Sequence, residues 1–191
     1  MKLICALLSL LICCPLLATA QDIRDKVASA PTATRTINET IEPDSHMFGI
    51  PFGTTEDQII AQYGKPAAYL RLDGTESGML YGRSLCFLFT GGRLAGLRLT
   101  HNIVDSKLSN SLPAESPFTS TLQRWQLSNG ITAKMSLADV RGILSDQLQG
   151  NRYHRSFETA RARVELDFSH FVDQGDNDEA YTLFGVLIRA K

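Results

Sequence analysis

One stretch of this chain occurs twice, and that repetition limits what the chain can fold into. Phe48-Gly49-Ile50-Pro51-Phe52-Gly53-Thr54-Thr55-Glu56-Asp57-Gln58-Ile59 is matched by Asn129-Gly130-Ile131-Thr132-Ala133-Lys134-Met135-Ser136-Leu137-Ala138-Asp139-Val140 at a constant offset of 81 residues, without a gap. Gly49 falls on Gly130, Ile50 on Ile131, Thr55 on Ser136, Gln58 on Asp139 and Ile59 on Val140. Each copy reads as a strand end running into a helix start. Thr55 and Ser136 are N-cap hydroxyls, and the polar Gln58 and Asp139 three residues on resemble a capping box. The next apolar residue on the same helix face is Tyr63 in one copy and Leu144 in the other. The first copy closes with Gly64-Lys65-Pro66, a conventional helix stop. The second copy lacks that stop and carries Lys134 where the first has Gly53.

After each helix the hydrophobic period falls to two. In the first half, Ala68 to Leu72 and Met79 to Tyr81 flank the turn Asp73-Gly74. Leu85 to Thr90 and Arg93 to Thr100 are joined by Gly91-Gly92, a two-residue loop able to take positive φ at both positions. Leu85, Phe87 and Phe89 take one face and Cys86 and Leu88 the other; in the next strand Ala95, Leu97 and Leu99 oppose Arg98. In the second half, a helix is expected from Leu137 to about Gln149, closing at Gly150. Residues 151–157 carry no clear period. Ala162 to Phe168 alternates strictly, with Arg163, Glu165 and Asp167 outward, and a final strand runs from Tyr181 to Arg189. The joint over 105–121 is rich in Ser and Asn with two prolines and reads as a loop. The strand Leu122 to Leu127, with the single Trp125, leads into the second copy.

The first twenty residues carry the marks of a secretory leader. Lys2 precedes an apolar run from Leu3 to Leu17, and Ala18-Thr19-Ala20 is a small-residue cleavage site before Gln21. The run is short for a membrane span and contains Pro15. Lipidation at Cys13 or Cys14 is disfavoured, because the preceding residue is Ile12 or Cys13 and not a small one. Export removes Cys5, Cys13 and Cys14, so Cys86 is left with no partner for an internal disulfide and reads as a small buried hydrophobe. The formal net charge of −1 becomes −2 without Lys2, and no basic run stands out. Nucleic acid is therefore not an expected partner. Residues 21–44, rich in Ser, Thr, Ala and Pro, read as a flexible lead. The remaining divisions are residues 45–104 and 122–191, each a helix followed by antiparallel strands, with the 105–121 joint between them.

The pattern of glycine, hydroxyl N-cap, aliphatic helix residue, Gly-x-Pro and antiparallel hairpin resembles the outer-membrane assembly lipoprotein superfamily that includes BamE (SmpA). In duplicated form it resembles beta-lactamase inhibitor protein. The resemblance implies an α+β fold of two tandem repeats, each a helix packed on an antiparallel sheet, together forming one longer sheet with the helices on one face. It implies binding to another protein and passes on no catalytic residue.

Chemistry-bearing motifs are few. There is no nucleophile elbow, no P-loop, no His-Glu-x-x-His and no paired-cysteine framework. His46, His101, His154 and His170 lack ligand-like spacing, although His101 and His170 both follow hairpin strands. Asp173, Asp176, Asp178 and Glu179 pack four carboxylates into seven residues. Such loops can hold calcium, but the spacing is not that of an EF-hand, and a solvated turn is the simpler reading. The candidate site is instead a protein-binding sheet face of Tyr69, Arg71, Tyr81, Arg98, Arg163, Glu165 and Asp167, rich in the arginine and tyrosine that anchor interfaces. Apolar Leu70, Cys86 and Leu88 on that same face suggest that it is partly covered, by a partner or a self-dimer. The expectation is an exported, periplasmic or secreted, non-enzymatic protein without cofactor or metal, holding another envelope or extracellular protein. The competing expectation is a small-ligand or metal-binding protein, or an enzyme of that kind, with a site where the repeats meet. If the leader reading holds, the intact mass of the exported protein begins at Gln21; a lipid-modified mass beginning at Cys13 or Cys14 would contradict it.

Overall fold

The computed structural model describes residues 38–100, 103, 110–113, 116–119, 124–170 and 177–191. The expected leader, most of the flexible lead, His101, Asp173 and Asp176 lie outside them. Among the described residues the fold is mixed and mostly strand, with two sheets and two α-helices described over their full length.

The helices form where the two copies of the repeated stretch predict them. In α1 (Glu56–Tyr63), the Thr55 hydroxyl accepts from the Gln58 amide and the Gln58 side chain accepts from the Thr55 amide, a complete capping box. In α2 (Leu137–Leu144), the Ser136 hydroxyl accepts from the Asp139 amide. The approaches to the two helices match closely. Gly53 N–H donates to Leu94 O and Leu94 N–H to Thr54 O; correspondingly Lys134 N–H donates to Leu183 O and Leu183 N–H to Met135 O. Lys134 holds φ 67° where Gly53 holds φ 81°. The glycine of the first copy is replaced by a lysine in the same left-handed backbone.

Eight antiparallel strands make the main sheet, in the order β4-β5-β6-β7-β12-β11-β10-β9. They are β4 (Ala68–Arg71), β5 (Glu76–Tyr81), β6 (Leu85–Thr90), β7 (Arg93–Leu99), β9 (Gln149–Gly150), β10 (His154–Glu158), β11 (Ala162–His170) and β12 (Tyr181–Ala190). The order runs outward from a seam in which the last strand of each half, β7 and β12, pair through Val186–Leu99 to Arg189–Gly96. A small sheet, β3-β2-β1-β8, adds β1 (Thr40–Glu42), β2 (His46–Met47), β3 (Ile50–Pro51) and β8 (Gln126–Leu127), with β1 and β8 parallel. One core joins all of this. Ile59 and Tyr63 of α1, Leu137, Val140 and Leu144 of α2, Ile41 and Leu127 of the small sheet, and Phe87, Leu97, Leu166 and Val186 of the main sheet belong to the same buried cluster.

Several details differ from the sequence expectations. Residues 40–42 lie in the expected flexible lead but form β1, whose Ile41 is fully buried. The second helix stops at Leu144, because Ser145 turns to φ 48° and a 3-10 turn, Ser145–Gln147, follows. Gly150, expected as the helix stop, belongs to the edge strand β9. A bulge between Leu88 and Phe89 sets Phe89 opposite Leu94, so Leu94 rather than Ala95 joins Leu97 and Leu99 in the core. The Gly91-Gly92 turn has positive φ at both residues, as expected.

The joint between the halves is more than a loop. Phe118 is fully buried and packs its ring against Phe48, Tyr63, Tyr81 and Phe87, with centroids 4.9–6.0 Å apart. Leu112 lies on the opposite side of the sheet with Leu80, Cys86 and Leu88. Its carbonyl accepts from Arg83 Nε and Nη2 at 3.3 and 3.1 Å. Phe118→Ala empties the centre of an aromatic cluster and should cost about 3–5 kcal/mol, read as a lower urea midpoint with an unchanged far-UV spectrum; a midpoint within 0.5 M of the parent (roughly 1 kcal/mol at ordinary m-values) would contradict that packing.

Candidate functional site

Cross-strand register decides which candidate residues share a face. Tyr69 stands opposite Met79, and Arg71 opposite Ser77. Met79 is in the helix-side core, and the Ser77 hydroxyl donates to Glu56 of α1 at 2.9 Å. Tyr69 and Arg71 therefore lie on the helix side, not on the open face expected from the sequence. Tyr81 lies there too: it is buried, and its hydroxyl donates to Gly64 O at 2.8 Å, tying β5 to the end of α1. Burial, and then the negative charges of Glu56 and Asp57, raise the Tyr69 phenol above its usual range.

Arg98, Arg163, Glu165 and Asp167 do share the helix-free face. One row across it runs Ser156, Glu165, Leu187, Arg98, Cys86, Leu80 and Ala68; the next runs Glu158, Arg163, Arg189, Gly96, Leu88, Gly78 and Leu70. The β4–β6 end of this face is the apolar part, and Leu112 of the joint and Ile103, at the end of the first half, pack on it. The apolar residues that suggested a partner or self-dimer are thus covered at least in part by the chain itself. Burial there pushes the Cys86 thiol up to about 12, against a smaller opposing effect of Arg98, so Cys86 is an inert packing residue.

From the seam outward through β11 and β10 the face is polar, and most of its charges are paired. Arg163 Nε lies 3.1 Å from Glu165, His154 Nδ1 2.8 Å from Asp167, and Lys191 2.8 Å from Glu158. Arg189 reaches 3.9 Å from Glu76 across two intervening strands. Arg98, exposed between Cys86 and Leu187, has no ion-pair partner among the described residues. Phe184, the unpaired residue where the β11–β12 register shifts, is 42% exposed. Neither Phe184 nor Arg189 was among the sequence candidates; a bulge carries no sequence mark of its own.

Of the histidines, His170 stacks on Tyr181 with centroids 4.7 Å apart. Among the described residues, no three of His, Cys, Asp and Glu gather closely enough to hold a metal ion. Two open clefts, of about 430 and 300 Å³, flank the Asp44 turn; their walls include His46, Phe52, Arg161 and Lys191 in one, and Glu42, Asn129 and Phe157 in the other. Asp44 itself is a structural clasp. Its Oδ1 accepts from the Thr159 hydroxyl at 2.5 Å and the Arg161 amide at 2.7 Å, joining the small sheet to the β10–β11 turn. A second concentration of charge, on the helix side, was not expected from the sequence: Arg141, Arg152 and Arg155 around Asp178.

No protein-family model matches the sequence, and no curated protein matches it. The chain has a weak structural likeness to an extracellular protein containing a SCP domain from Bacillus anthracis str. Ames, with a TM-score of 0.39 and 10% identity over 72% of this chain and 43% of that one. The chain thus spans less than half the length of that protein, and a likeness at this level bears on neither fold nor activity. No helix among the described residues is long and apolar enough to cross a membrane.

The Asp44 clasp gives a pH dependence with a definite sign. The Thr159 hydrogen bond, then the Arg161 and Ala160 amides, hold the Asp44 carboxyl below its usual 3.8, against some burial. Its contribution to stability is therefore fully present above pH 3.8 and is lost as pH falls through the lower folded value. Asp44→Asn should remove that part of the acid-induced loss of stability; urea midpoints of both proteins between pH 2 and 6 check it, and parallel curves contradict it.

Proposed function

We propose that this chain is an exported, non-enzymatic protein-binding module built of two tandem repeats, which holds its partner on the part of the helix-free face that its own joint leaves open. The observation that carries this reading is Arg98. It sits beside the central seam, unpaired among the described residues, while the charges around it are paired and half-exposed Phe184 lies farther along the neighbouring strand. An arginine on a rigid strand with an aromatic residue in the same region is the composition of an interface anchor. The partner that fits presents a carboxylate to Arg98 and an apolar side chain to Phe184.

The tandem-repeat reading is supported by the paired hydrogen bonds at Gly53 and Lys134, by the 81-residue match, and by a strand order that runs outward from the seam in both directions. It is the form that the resemblance to the BamE superfamily and to beta-lactamase inhibitor protein implies. Both inhibition and envelope assembly are roles of binding, and the identity of the partner separates them. A second copy of the chain would also meet the requirement, and sedimentation of the purified protein distinguishes it.

A pull-down from native envelope extract and culture medium tests the proposal. The exported chain should retain a partner that the Arg98→Glu, Arg163→Glu double variant loses by more than about tenfold, as expected for an interface anchor, while both proteins melt at the same temperature. Equal capture by the two would overturn the sheet-face reading.

A further inference from the structure

The helix side of the second half carries a different kind of site. Arg141 projects from α2, Arg152 from the turn before β10, and Arg155 from β10, where it stands opposite Leu166 and Gly150. Asp178 precedes β12 and is contacted by Arg141 and, at 3.6 Å, by Arg152. Among the described residues Arg155 makes no hydrogen bond or ion pair with that carboxylate. Its Nη1 donates to Gly150 O at 2.7 Å, while its buried Nε has no acceptor among the described residues. The residue is only 8% exposed. Burial, and then the positive charge of Arg141, pull its guanidinium below the usual range, with Arg152 adding to them and Asp178 opposing.

A buried donor without an acceptor costs the full desolvation of that group, and more when the group is charged. Buried donors in folded proteins are satisfied with few exceptions. Here the unsatisfied donor belongs to a fixed cation beside a second cation, so the acceptor that the place favours is an anion.

We infer that Arg155 and Arg141 form an oxyanion-binding site at the junction of α2 and β10, which takes a carboxylate or phosphate group, with Asp178 as its internal competitor. Both ligands match the planar donor fork of a guanidinium. Beside the site, Tyr153 meets Tyr181 edge-on at 5.3 Å and is 49% exposed, which provides an aromatic ledge for the group that bears the anion. The site lies on the opposite side of the sheet from Arg98 and does not rest on the protein-binding reading.

Free phosphate and the terminal carboxylate of a peptide share this chemistry, and the test separates them. The exported chain is titrated with sodium phosphate and with an acetylated tripeptide ending in a free carboxylate, each against chloride at equal ionic strength, and its melting temperature is followed. At least one of the two should give a saturable rise, and whichever does names the source. Arg141→Gln alters a half-exposed side chain outside the core and should weaken the response about tenfold, the scale of one charge-assisted hydrogen bond. Arg155→Lys, which keeps the charge but loses the fork, should weaken it as well, and Asp178→Asn should strengthen it. Arg163→Gln, on the other face, should leave it unchanged. The inference is overturned if neither anion gives a saturable response, or if Arg141→Gln responds as the parent does. It is equally overturned if a response appears only after Asp173 and Asp176 are both changed to Asn, since the chain's own acidic loop would then be the occupant.

Discussion

The pairing of β7 with β12 is the interaction on which the rest of the molecule depends. Taken alone, β4–β7 and β9–β12 are sheets of four strands each, too small to bury much apolar surface. Four register pairs, Leu99–Val186 to Gly96–Arg189, turn the two into one eight-stranded sheet and close both inner edges. The approach is so close that a Cβ on Gly96 would lie 2.2 Å from Ile188 O, which leaves only glycine at that point of the seam. The core follows from it: Leu97 and Leu99 of β7 and Val186 and Ile188 of β12 belong to the one buried cluster that also takes Ile59 of α1 and Val140 of α2. So does the open face, where the same register places Arg98 next to Leu187.

The joint between the halves supplies the second constraint. It contributes Leu112 to one side of the sheet and Phe118 to the other. A leucine in a Ser/Asn-rich segment does not announce which surface it covers. The apolar residues Leu70, Cys86 and Leu88 correctly indicated that something lies on the second face; sequence alone did not identify the chain's own joint as the cover. The result is a face divided in two, with an apolar end under Leu112 and Ile103 and a charged remainder from the seam outward.

What could be read from the sequence was whatever local chemistry determines. The two N-caps, the Gly91-Gly92 turn and the alternation in β11 each follow from one or two residues and their neighbours. What could not be read was set at a distance or by a rare backbone state. Lys134 and Ser145 hold positive φ without being glycine, so neither the sameness of the two helix approaches nor the early end of α2 showed in the residue types. The small sheet rests on pairs only two or three residues long. Tyr69 and Arg71, expected on the open face, lie on the helix side with Tyr81, because the β4–β5 register sets them opposite Met79 and Ser77. Arg98, Arg163, Glu165 and Asp167 fell on one face because the seam register and the β11 alternation agree.

Charge pairing separates the places where this fold has settled its electrostatics from those where it has not. The pairs His154–Asp167, Arg163–Glu165 and Lys191–Glu158 are partly exposed, and such pairs contribute little to stability or to binding. Among the described residues they leave few charges of that face unpaired. Two arginines differ from them in opposite ways. Arg98 is exposed and has no ion-pair partner among the described residues, so its charge is met by water in the free protein. Arg155 is buried and its Nε has no acceptor among the described residues, so the folded protein carries the cost of that unmet donor. Exposure thus separates the two: a ligand of the kind proposed for Arg98 would displace water alone, whereas the anion proposed for Arg155 would meet a donor that the fold leaves unmet.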